Sequence, residues 1–149
     1  MRDNRSNVTP FRRARPQRPR GGDPLKSHRG KAVIVHALTL ATFAIYMFTS
    51  GPLTFLGLAL GIAAVAIAAS NRHEGMPWAM THHEQALRTI VLGAAIWTLA
   101  SLLTFLPALG VATPWIHIAV AIWAGLRAAI GLVMAGLRRA MPNPKGFLV

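Results

Sequence analysis

Between Ala32 and Ser70 the chain runs for 39 residues without an Asp, Glu, Lys or Arg. One helix of that length would be about 58 Å long, at 1.5 Å per residue. The hydrocarbon core of a bilayer is about 30 Å thick and is crossed by about 20 residues. The block must therefore fold back once. Ser50-Gly51-Pro52 supplies the break, since proline lacks an amide donor and glycine tolerates turn conformations. The two spans are placed at about 32–49 and 53–70.

A second uncharged block runs from Thr89 to Leu126 and must also turn. Pro107, Gly110 and Pro114 frame PALGVATP as that turn. This places the third and fourth spans at about 86–106 and 115–137. Between the blocks lies the polar linker NRHEGMPWAMTHHEQ. There Thr81 and Glu84 have the spacing of a capping box, so a helix is expected to start at Thr81. The expectation is an all-α integral membrane protein with four transmembrane helices arranged as two hairpins.

Composition agrees with that reading. Of 149 residues, 53% are hydrophobic and only 13% are charged, about half the charged share of a soluble domain. The chain has no cysteine, which excludes disulfides, thiolate nucleophiles and cysteine-based metal sites. Its four acids are Asp3, Asp23, Glu74 and Glu84, with no compact carboxylate pair for acid–base catalysis. No catalytic residue is assigned, and the protein is expected not to be an enzyme.

Net charge is +12, and ten of the 16 Lys and Arg precede Ala32. Residues 1–31 read as a disordered basic tail, because few apolar side chains are present to offset the entropy of ordering. No small-residue cleavage site follows a short apolar region, so the tail is not read as a signal peptide. Anionic lipid headgroups are its expected partner, at about 1 kcal/mol per basic residue near the surface. Phe11 is its one aromatic, so a stacking platform for nucleic acid is lacking and no nucleic-acid partner is expected.

The expected turns 50–52 and 107–114 carry no Lys or Arg, whereas the tail, the linker and residues 138–149 do. By the positive-inside rule both termini are expected to be cytoplasmic. Residues 139–149 are then a short cytoplasmic C-terminal tail, stopped as a helix by Pro142 and Pro144.

Arg127 is the only charge in the run from Trp115 to Leu137. A charge inside a membrane normally faces protein or water and finds a partner. At 100° per residue its stripe includes Val120, Trp123, Gly131, Met134 and Arg138. Glu84 is the acid expected to meet it. With Arg88 and His82 these residues form the expected polar seam, either a structural weld or a contact with a partner.

Gly57 and Gly61 form a GxxxG motif, suited to dimerisation or to packing within the chain. His73, His82 and His83 match no standard zinc spacing, so no metal is assigned. His36, with Ala32 four residues before it, is similar to the pigment-ligating helix of bacterial light-harvesting polypeptides, which implies a tetrapyrrole as the one cofactor to test. An interhelical hydrogen bond is the simpler role for His36 and for His117.

The segments PWAMTHHEQALRTI (77–90) and IWAGLRAAIGLVMAGLRRAMPNPKGFL (122–148) carry a wider resemblance. In them Thr81-His82, Arg88-Thr89, Arg127 with Gly131, and Pro142-Asn143-Pro144 follow one another. The chain thereby resembles a family of small bacterial four-helix membrane proteins of unknown function, related to the Tic-type chloroplast import component. It departs from that family in having His83 where an aromatic is usual, and Gln85 displaced by one. The resemblance implies four spans and no established catalysis.

Together these features point to an accessory, assembly or scaffold subunit that contacts a protein partner. A small channel or translocation component is the alternative, and a pigment- or haem-associated subunit through His36 is a further one.

Overall fold

The computed structural model describes residues 23–73 and 75–147. Four helices in it are long and apolar enough to cross a membrane, and no strand occurs among the described residues. The long helices are α1 (His28–Phe48), α2 (Leu53–Asn71), α3 (Pro77–Leu102) and α5 (Thr113–Gly136). A short helix α4 (Pro107–Gly110) fills the turn expected at PALGVATP.

The starts of α1 and α3 differ from the sequence reading, and each has a local cause. Residues 23–31 are ordered rather than part of a disordered tail. Asp23 caps a 3₁₀ turn over Pro24–Lys26, and the Ser27 hydroxyl accepts from Gly30 N–H at 2.9 Å, so α1 starts four residues early. The expected disorder of residues 1–22 lies outside the described residues. Helix α3 starts at Pro77, not Thr81. Proline at the first helical position has its φ preset and no amide to orphan. Thr81 is therefore inside the helix, and its hydroxyl donates to Trp78 O at 2.7 Å instead of capping.

Helix α1 packs against α5, α2 and α3; α3 also packs against α5 and α2. Small residues set the approach. On α2, Gly57, Gly61, Ala64 and Ala68 are buried on one face. A Cβ at Gly57 would lie 3.1 Å from Ile45 Cγ2, and one at Gly61 would lie 3.3 Å from Thr42 Cγ2. The GxxxG motif is thus spent inside the chain, against α1. Where Phe43 of α1 crosses α3, Gly93 leaves the space that the ring fills.

The bundle is inside out relative to a soluble one. Its largest fully buried side chains include Arg127, His36, His82, His83 and Gln85. Its large apolar side chains face outward, with Phe55, Leu99, Leu126 and Val133 all more than half exposed. In lipid, apolar groups gain nothing by leaving the surface, so helices associate through close packing and interhelical hydrogen bonds.

One end of the bundle gathers the charges. Lys31 Nζ donates to Asn71 Oδ1 at 2.7 Å, joining the start of α1 to the end of α2. Met141 N donates to Thr81 Oγ1 at 2.9 Å, joining the start of α3 to the chain beyond α5. The connections at the opposite end, residues 49–52 and 103–112, contain no Asp, Glu, Lys or Arg.

The packing at Gly93 can be checked by substitution. Gly93→Ala places a methyl on the Phe43 ring and is expected to destabilise by about 1–3 kcal/mol. Gly125 has only Leu40 Cδ1 nearby, at 3.8 Å, so Gly125→Ala is expected to be neutral or slightly stabilising. Thermal unfolding in one detergent distinguishes the two.

Candidate functional site

Helix α5 ends in a turn that sends the chain back on itself. Leu137 N donates to Val133 O, Arg138 N to Ala135 O and Arg139 N to Met134 O, a Schellman closure. Arg138 takes the left-handed position, at φ 56°, which glycine usually fills. After Met141, Pro142 and Pro144 cannot continue a helix. Gly146 N then bonds Asn143 O at 3.2 Å, and the Asn143 side chain occupies the space a Cβ on Gly146 would need. The tail therefore folds back along α5 rather than leaving the bundle.

Arg127 receives it. The residue is 2% exposed and lies nine positions, about 14 Å, before the end of α5. Its Nη1 donates to Gly146 O and to Phe147 O, both at 2.9 Å. Its Nε donates to Thr89 Oγ1 at 3.0 Å. Thr89 in turn donates to Gln85 O at 2.8 Å. One helical turn before Arg127, Trp123 Nε1 donates to Phe147 O at 2.9 Å, and the Trp123 and Phe147 rings stack with centroids 4.9 Å apart. The guanidinium carbon lies 5.4 Å from the Trp123 ring centroid.

A second buried group lies toward the charged end. His82 Nε2 is 2.8 Å from Arg139 O, and His82 Nδ1 is 3.0 Å from His36 Nε2. A carbonyl only accepts, so His82 carries its proton on Nε2. A neutral His82 then accepts at Nδ1, and His36 donates from Nε2. Gly131 lies against the His36 ring, where a Cβ would overlap it. A tetrapyrrole ligated by Nε2 of His36 would have to displace His82. Among the described residues, no group of three or more His, Asp or Glu side chains is arranged to hold a metal ion.

Arg127, His82, His36 and Gly131 are thus brought together in the interior. Arg88 and Glu84 are not. Arg88 Nε bonds Glu84 Oε1 at 2.6 Å, one turn apart on an outer face of α3. Glu84 therefore does not meet Arg127, because a residue four positions away on the same helix already holds it. Uncharged oxygens take its place. His117 bonds Trp97 O at 3.1 Å and stacks on the Trp97 ring at the uncharged end.

Trp123 lies on Arg127's stripe as expected, whereas Thr89, Gln85 and the carbonyls of Gly146 and Phe147 were not legible as its surroundings. The available signal was Trp123 one turn from Arg127, with a Gly-Phe pair beyond two prolines. Pro142 and Pro144 both stop the helix and lie in the segment that returns the chain toward Arg127.

Arg127→Gln and Thr89→Val are expected to destabilise the protein non-additively, with a coupling of about 0.5–3 kcal/mol in a double-mutant cycle. Glu84→Gln is expected to be additive with Arg127→Gln to within about 0.5 kcal/mol. Unfolding midpoints of the five variants and the wild type in one detergent measure both.

No protein-family model, curated protein or solved structure matches the chain.

Proposed function

We propose that this is a non-catalytic accessory, assembly or scaffold subunit of the bacterial inner membrane, working through protein and lipid contacts. Its four spans form two hairpins with both termini in the cytoplasm. The observation that carries this reading is the use of Arg127. Its bonds to Thr89, Gly146 and Phe147 join helices and tail of one chain, so its polar contacts serve assembly of the bundle. A channel through the bundle would have to pass Phe43, Val120 and Ala124, a buried apolar cluster between Arg127 and the uncharged end. That cluster favours contacts over conduction.

The orientation is supported by charge. Lys26, Arg29, Lys31, Arg72, Arg138 and Arg139 flank the helix ends of one side, and the connections opposite carry no charged residue. Such a basic end suits a surface of anionic headgroups.

Purification in a gentle detergent through two successive tags is expected to retain a partner protein at fixed stoichiometry. Recovery of the chain alone would sink the accessory-subunit reading. The absence of cysteine makes the topology simple to check. Ser50→Cys is expected to react with a membrane-impermeant maleimide on intact cells, and Arg72→Cys only after permeabilisation. The reverse pattern would overturn the orientation.

A further inference from the structure

We propose that the groove between α2 and α3, floored by α1, is a binding site for one acyl chain of a phospholipid in the leaflet at the uncharged end. The proposal rests on the four spans and stands apart from the accessory-subunit reading.

The groove follows from how the helices are held. In the charged half, Ala64 and Ala68 of α2 meet Ala86 and Ile90 of α3 in one buried cluster. Toward the uncharged end the two helices are held by different neighbours. Gly57 and Gly61 keep α2 on α1, against Ile45 and Thr42. Trp97 keeps α3 on α5 by stacking on His117, with ring centroids 4.0 Å apart. A space of about 470 Å³ is left between them, with Thr42, Phe43 and Tyr46 of α1 at its base. Small-molecule sites usually measure about 300–1,000 Å³.

Its dimensions select the occupant. Val65 and Ile90 line the inner end, where the buried cluster begins. Each lies twelve residues from the uncharged end of its helix, about 18 Å at 1.5 Å per residue. A bilayer core is about 30 Å thick, so the groove stops near the middle of the membrane. A partner helix crossing the whole core would run past that closed end. A chain belonging to one leaflet ends there. The GxxxG face that would suit a second helix is already covered by α1.

The lining fits hydrocarbon. Leu58, Ile62 and Val91 form its rims. The Thr42 hydroxyl donates to Leu38 O at 2.8 Å, which leaves its methyl carbon toward Gly61. The remaining polar side chains of the lining, Tyr46 and Thr98, lie within four residues of their helix ends. That is the level at which lipid ester groups begin and tyrosine is favoured. Trp97 is fixed on both sides, by His117 and by Tyr46 at 5.4 Å, so its wall stands before any ligand arrives. Lipid surrounds the mouth as solvent, and an empty groove would forfeit dispersion contacts along its whole lining.

The experiment is native mass spectrometry of the full chain reconstituted with dipalmitoyl phosphatidylcholine and then released into detergent. The wild type is expected to retain one phospholipid per chain after the surrounding lipid is stripped. Ala94 lines the groove and is exposed, so Ala94→Phe puts a ring where the chain would lie. Retention is expected to fall roughly tenfold in Ala94→Phe and roughly threefold in the milder Ala94→Leu. Ala95→Phe, at an exposed position outside the groove, is expected to leave it unchanged. Dipalmitoyl phosphatidylglycerol is expected to be retained equally, and dioctanoyl phosphatidylcholine less, because the chain is what is recognised. In vesicles, Trp97 emission is taken as the difference between wild type and Trp97→Phe. It is expected to be quenched by chain-brominated phosphatidylcholine and to recover in the Ala94 variants.

Lipid retention that is absent, or equal in wild type and both Ala94 variants, overturns the proposal. Retention of phosphatidylglycerol alone would place the lipid at the basic end by its headgroup and overturn it too. A dimer, or a co-purified protein, that Ala94→Phe dissociates would assign the groove to a second copy or to a partner helix. Recovery of the chain alone with one lipid bound would sink the accessory-subunit reading and leave this site standing, so the two failures are distinguishable.

Discussion

The arrangement turns on one exchange of unmet needs. A guanidinium within a membrane costs about 2.5–3.5 kcal/mol at the centre on insertion scales. Peptide carbonyls outside a helix are costly there too, since lipid offers no donors. Arg127 and the carbonyls of Gly146 and Phe147 remove each other's deficit in one contact. Neither would be stable at that depth alone. The charge in the apolar helix and the return of the tail are thus one feature.

Other buried polar groups are joined in the same way, although, among the described residues, His83 Nδ1 and Gln85 Oε1 are buried without a partner. His36, His82, Gln85 and Thr89 meet across helix interfaces, and each polar contact joins segments far apart in sequence. His82 links α1 to the backbone at Arg139, and Thr81 holds Met141 beside it. The close fit of Gly131 to the His36 ring, and of Gly57 and Gly61 to α1, lets backbones approach enough for these short side chains to reach. Van der Waals packing of small residues and hydrogen bonding therefore depend on each other, as expected where lipid removes the hydrophobic drive between helices.

The four long helices were legible because hydropathy is local: an uncharged block of 39 residues must turn within a bilayer, whatever its tertiary partners. Arg127 was legible as a site for the same reason. Its partners were not. A sequence contains Glu84 as an acid near a membrane edge, and charge pairing favours it; the fold gives Glu84 to Arg88 instead. Backbone carbonyls carry no sequence signature, so nothing in the letters marks those of Gly146 and Phe147 as acceptors. The start of α3 was misplaced because Thr81 and Glu84 have capping spacing, while Pro77 is compatible with an earlier start. The left-handed turn at Arg138 was hidden because a non-glycine residue rarely takes that conformation.

The left-handed turn at Arg138 is what brings the two halves of that exchange within reach. It reverses the chain at the end of α5, so residues 19 and 20 positions after Arg127 return to its level in the bundle. The length of that return, rather than any charged side chain, sets the depth at which the guanidinium is met.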